Sequence, residues 1–240
     1  ISDCLVGSEM CIRDRKKVKE KKPDTLIKLQ VIDDNSNDEN LKKIKDLINS
    51  NGIDYEIINH NKSEHKEKIA AENNDETFGN LSSLLKCFEI AKKEQSDLIY
   101  FVEDDYLHYD HSLVDMLDTY ERISSQHKDE IIVCPSDYPF NYMTNEKTNI
   151  LIGSRQHWRI ITKMLCTFMI SKKTFLKHID SFEKTCEKRH DPFEKYLNEI
   201  LQKEVAISPI NSLAIHLTNV NSNYGLSPFV DYKKLWEENK

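Results

Sequence analysis

The 240-residue chain holds no apolar run near the roughly 18 residues that a membrane-spanning helix requires. Its longest apolar stretches have strand length, which points to a soluble chain. It also lacks a basic excess: acids outnumber bases and the formal net charge is −7. That balance argues against a nucleic-acid-binding or membrane-surface protein, because both need a basic face to meet phosphate. An anionic ligand held through a metal stays open. No CxxC pair occurs among Cys4, Cys11, Cys87, Cys134, Cys166 and Cys186. In this lysine-rich context, that predicts reduced thiols in a cytoplasmic protein. Cys87, on the apolar face of a helix, and Cys134, at the end of a strand, read as core fillers. There is no internal repeat and no low-complexity linker. With 38% hydrophobic residues the chain can bury a proper core, and one domain is expected.

Residues 1–15, ISDCLVGSEMCIRDR, differ in character from the rest of the chain and resemble translated sequencing-adapter read-through. They are expected to be non-native and are set apart from the fold. From Thr25 onward the pattern is periodic. TLIKLQVI reads as a strand, and Leu41, Ile44, Leu47 and Ile48 recur at helical spacing behind a cap at Asn40. IDYEII is a second strand, and the polar stretch to Thr77 is a surface loop. NLSSLLKCFEIAKKE sets Leu81, Leu84, Leu85, Phe88 and Ala91 on one helical face. LIYF, SLVDMLDTYERI and EIIVCP continue as strand, helix and strand. Such alternation argues for a mostly parallel α/β sheet with helices on both faces. After Ser136, ILIGSRQHWRIIT reads as a hairpin, CTFMISKKTFLKHI as strand into helix, and DPFEKYLNEILQK as a helix. This half is expected to extend the same core.

Two strands end in acids: Asp33 and Asp34 on one, Glu103, Asp104 and Asp105 on the other. Crowded carboxylates repel and raise one another's pKa, so such a cluster calls for a cation or hydrogen-bond donors. Mg²⁺ and Mn²⁺ favour carboxylate oxygens and keep open positions for water or phosphate. A solvated acidic turn is the simpler alternative. In open α/β sheets ligands bind at the carboxyl ends of the strands, so both clusters are expected to face one crevice.

VIDDNS resembles the acidic pair of a phosphoacceptor receiver, but no Lys-Pro stands at a last strand and the chain is about twice the length of such a module. A larger set of motifs is similar to GT-A fold glycosyltransferases. VIDDNSNDENLKKI resembles their DDxS turn, GNLSSLLKCFEIAK the helix before their metal-binding strand, and LIYFVEDDY the strand carrying Asp-x-Asp. SPINSLAIHLTN followed by LSPFVDYKKLW is similar to the end of members with a lone metal-reaching histidine. The resemblance spans residues 25 to 236. It implies one GT-A-like domain over residues 16–240, with a nucleotide-binding half to residue 135 and an acceptor-side half after it. The family's first strand has no counterpart here.

The resemblance also implies roles. Asp33, Asp34, Glu103 and Asp104 would contact the nucleotide, and Asp105 with His216 would hold Mn²⁺ or Mg²⁺ against the diphosphate. The alternative for the Asp33–Asp34 pair is an Asx turn capping the next helix, which Asn35, Ser36 or Asp38 could equally supply. Asp191 matches the base that deprotonates an acceptor hydroxyl in an inverting transfer. Asp191-Pro192-Phe193-Glu194 also reads as a helix start. Trp158, Arg159 and Asp137 would line the acceptor site. The expected partners are a nucleotide-diphosphate sugar donor and a glycan, lipid-linked or small-molecule acceptor. A GT-A domain that binds nucleotide or glycan without turnover is the alternative from another class.

Overall fold

The computed structural model describes residues 15–69, 72, 74–217, 221–226 and 230–237. Residues 1–14 of the segment expected to be non-native, and residues 218–219 and 227–229 of the C-terminal motifs, lie outside the described residues. Residues 15–21 form helix α1, which buries Arg15 and Val18. Strand β1 (Lys28–Asp33), helix α2 (Asp38–Ser50), strand β2 (Asp54–Asn59) and helix α3 (Asp75–Lys93) come next. A 3-10 turn over Lys62–His65 lies between β2 and α3. Then come β3 (Leu98–Phe101), β4 (Tyr106–His108), α4 (Ser112–His127), β5 (Ile131–Val133) and α5 (Phe140–Met143). The second half supplies β6 (Ile150–Ile152), β7 (His157–Ile161), β8 (Phe168–Ser171), α6 (Lys172–Lys177), α7 (Ile179–Thr185) and α8 (Lys195–Ile200). It ends with β9 (Val205–Pro209), β10 (Ala214–His216) and α9 (Tyr232–Glu237).

The class is α/β, but the sheet is mixed where a mostly parallel one was expected. Six strands lie in the order β3-β8-β5-β9-β7-β6, and only β5 and β9 pair in parallel. The parallel pair β1-β2 forms a separate sheet. Strands of the second half enter the same sheet as those of the first: β8 lies between β3 and β5, and β9 lies against β5. Since β8 runs against both of its neighbours, β3, β5 and β9 share one direction, and their carboxyl ends share one edge.

Both faces of the sheet are covered, which explains its unbroken apolar strands. On one face Ile132, Phe168 and Ile170 pack with Leu81, Leu85 and Phe88 of α3 and Phe182 of α7. On the other, Ile131, Val133, Met169 and Ile207 pack with Leu113, Val114 and Met116 of α4 and with Trp158. Neighbouring residues of β5 thus serve opposite cores, as the strand period of two dictates. Cys134, Cys166 and Cys186 are buried in the first core, and burial pushes their thiols up, as it does Cys87 to about 12.

Helix α2 is capped by Asn37, whose side chain accepts from the N–H of Asn40; Asn40 itself is a buried helix residue. Helix α3 starts five residues earlier than its apolar pattern suggests, with Asn74 as cap and Asp75 and Glu76 complementing the dipole. Lys28 and Gln30 of β1 reach Glu94 at the carboxyl end of α3. Asp34 lies beside Gly79 in the amino half of that helix. Helix α3 therefore runs against β1; the acidic end of β1 belongs to the separate sheet, and the acidic end of β3 lies at the carboxyl edge of the six-stranded sheet.

Candidate functional site

At that edge β3 stops at Phe101 and the chain turns through Glu103, Asp104 and Asp105 into β4. Strand β4 pairs antiparallel with β10, in a register that sets His216 opposite Tyr106. The His216 ring stacks on Tyr106 at 4.9 Å, and its Nε2 lies 2.8 Å from Asp105 Oδ2. Its Nδ1 lies 3.2 Å from the carbonyl oxygen of Tyr224. Both neighbours are acceptors, so both ring nitrogens must donate, and the ring is an imidazolium when both bonds form. Burial alone would lower the His216 pKa. The hydrogen bond and charge of Asp105, with the charge of Glu103, outweigh it and raise the pKa.

Glu103 is pushed up to about 7, first by burial, then by the charge of Asp105, with Glu194 adding to it; His216 and a hydrogen bond from Thr167 pull the other way. Its main-chain N–H donates to Thr167 Oγ1 at 3.0 Å. Glu194 is itself raised by burial, and the His216 charge draws it down. Glu103, Asp105, Glu194 and His216 thus form one electrostatic group. Sequence reasoning missed Glu194, because the acid stands in what looks like the first turn of a helix.

The raised Glu103 has a consequence for stability. Between its ordinary 4.5 and about 7, the folded chain keeps a proton that the unfolded chain has lost. Stability therefore falls as pH rises through that window, and the full penalty is present above it. Glu103→Gln is expected to raise the stability of the ligand-free protein at pH 8 by on the order of 2 kcal/mol, and by little near pH 4.5. Urea melts of both proteins at the two pH values check this.

The other predicted residues differ in burial and partners. Asp33 is buried, and its Oδ1 accepts from the N–H of Ser36 at 3.3 Å, so it is engaged in the Asx turn. Asn35 completes that turn at φ 62°. Asp34 and Asp104 are exposed. Asp137, after β5, is buried with its carboxylate 3.6 Å from Arg159 Nη2, and it accepts from the Tyr142 hydroxyl. The Arg159 guanidinium lies 4.2 Å over the Tyr142 ring. Trp158 is fully buried on the opposite side of β7, inside the second core, and has no free face for a sugar. Asp191 is exposed and precedes α8, which starts at Lys195 with Glu194 at its cap, so the expected helix start is displaced. The Asp191-Pro192 bond is cis. A surface groove lined by Glu146, Lys147, Thr162, Lys163, Asn198 and Gln202 shares none of these residues.

Asp105 offers carboxylate oxygen, and the Nδ1–H of His216 is oriented by a backbone carbonyl, as ligating imidazoles are. The proton on Nε2 lies where a cation would compete for the same carboxylate. Among the described residues no three His, Cys, Asp or Glu side chains stand together as a complete ligand set. Oxygens from a ligand and water would have to complete the shell. No helix among the described residues is long and apolar enough to cross a membrane. Comparison with protein-family models, curated proteins and solved structures finds no match to this chain.

Proposed function

We propose that this chain is a metal-dependent glycosyltransferase of GT-A type, which moves a sugar from a nucleotide-diphosphate donor to an acceptor hydroxyl with inversion. The observation that carries the reading is the meeting of Asp105 and His216, with Glu103 beside them, at the carboxyl edge of the sheet. When bound, Mn²⁺ or Mg²⁺ neutralises charge on the departing diphosphate. Asp105 and His216 would hold the ion. The exposed Asp34, at the end of β1, is open to base or ribose, whereas Asp33 is spent on its turn. Glu194, whose pKa burial raises, is better set than the exposed Asp191 to take the acceptor proton. Asp137 and Arg159 form the polar floor on the acceptor side, which suits a glycan, lipid-linked or small-molecule acceptor.

The exposed position of Asp191 favours a second reading, a domain that binds nucleotide without turnover. Thermal stability with UDP, GDP, CDP and CMP, each with Mn²⁺ or EDTA, tests the binding shared by both. A ligand at about a hundredfold its Kd adds roughly 2.7 kcal/mol, and the gain is expected only with one nucleotide and Mn²⁺ together. No gain with any pair would overturn the proposal. Sugar transfer or donor hydrolysis then separates enzyme from binder.

A further inference from the structure

A line of buried polar groups outside the crevice joins α3 to the end of β2. Glu89 Oε2 lies 3.3 Å from His65 Nε2, and His65 Nδ1 lies 2.8 Å from Ser82 Oγ. Ser82 Oγ lies 2.9 Å from His60 Nε2. Ser82 is fully buried, and His60 and His65 are 2% and 3% exposed, so water cannot settle where the protons lie. The far nitrogen, His60 Nδ1, is buried and has no hydrogen-bond partner.

A hydroxyl has one proton, and this fixes the direction of the line. With both rings neutral, His65 must present N–H to the Glu89 carboxylate, so its Nδ1 is bare and accepts from Ser82. The Ser82 oxygen then accepts from His60 Nε2–H, which leaves His60 Nδ1 bare. An added proton goes to His65, the ring that touches the carboxylate, and places N–H on its Nδ1. Ser82 must now accept there and turn its own proton away. The nearest acceptor is His60 Nε2; the Lys62 carbonyl, at 3.4 Å, is more distant.

We propose that Glu89, His65, Ser82 and His60 form a one-proton relay, in which protonation of His65 reverses the hydrogen bonds and moves the His60 proton from Nε2 to Nδ1. The balance is one proton taken from solvent: it enters at His60 Nδ1, the His60 Nε2 proton passes to Ser82 Oγ, and the Ser82 proton passes to His65 Nδ1, so that His65 gains the charge and His60 stays neutral. The charged groups around the line fit these roles. Lys68 pairs with Glu89 at 2.5 Å, and the Lys68 and His65 bonds outweigh burial to keep that carboxylate ionised. Burial, then the His65 charge and Lys86, lower the His60 pKa against Asp34 and Glu64. Lys86 pairs with Glu64, and Lys62 with Asp75. The relay ends at the acidic turn of β1, where the His60 main-chain N–H donates to Asp33 O at 2.7 Å.

Long-range ¹H–¹⁵N spectra of the histidine side chains through a pH titration of the full chain test the relay. His60 is expected to exchange its protonated nitrogen at the midpoint where His65 gains its proton. Glu89→Gln should move the two transitions together, and Ser82→Ala should uncouple His60 from His65. A His60 tautomer that stays constant while His65 titrates overturns the proposal. So does an exchange that survives Ser82→Ala, and if that variant fails to fold, unequal shifts in Glu89→Gln serve instead.

Discussion

Asp105→Asn is expected to abolish the joint stabilisation by nucleotide and Mn²⁺, and to lower sugar transfer by about 10²–10³-fold, with the fold intact. Asparagine keeps the size of the side chain, and its carbonyl can still accept from His216 Nε2–H, now 2.8 Å from Asp105 Oδ2. The stack of His216 on Tyr106 and the pairing of β4 with β10 do not depend on the charge. Exchanging a charged acceptor for a neutral one costs about 1 kcal/mol of stability. What is lost is the negative charge that draws a cation to this edge. The check is the nucleotide panel with Mn²⁺ or EDTA, beside a transfer assay on the same protein. A variant that kept the Mn²⁺-dependent gain would remove Asp105 from the metal site and leave the acids of β3 as a solvated turn.

How far the sequence foretold this arrangement depends on the range of the interactions. Helix α3 was legible because its apolar residues repeat at 3.6, and β5 because both of its neighbours in the fold are apolar. The hairpin β6–β7 was legible for the same local reason. The insertion of β8 between β3 and β5 was not, since Phe-Met-Ile-Ser reads like any buried strand and nothing local names its partners. Asp105 and His216 are 111 residues apart, and only the motif order suggested that they meet. Glu194 was hidden by the helix-start pattern Asp191-Pro192, which the chain uses for a turn instead. One error was avoidable. Trp158 and Arg159 are adjacent on a strand, so the period of two sends them to opposite faces, and both cannot line one acceptor site.

The buried face of that same strand carries the other large effect: Gly153→Val is expected to destabilise the protein by about 3 kcal/mol. A Cβ at Gly153 would lie 2.2 Å from Trp158 Nε1, 2.3 Å from Trp158 Cδ1 and 2.9 Å from Thr119 Oγ1. None of these atoms can yield easily. Trp158 is fully buried in the second core, and Thr119 is held by the N–H of Ser154 at 3.1 Å while its hydroxyl donates to Asp115. The N–H of Gly153 also donates to Gln156 O at 3.0 Å, and Gln156 Nε2 donates to Asp115 Oδ2, so the turn is tied to α4 at several points. The indole must therefore move, or the hairpin must lift from the helix. Trp158→Phe removes the atoms that a valine would strike, along with an indole N–H that is buried without an acceptor. Its cost in the Gly153→Val background should be smaller than in the parent by about 1 kcal/mol, a coupling that urea melts of the four proteins measure. Strict additivity would mean that the glycine is not kept small by the tryptophan, and that the hairpin is seated on α4 by its hydrogen bonds alone.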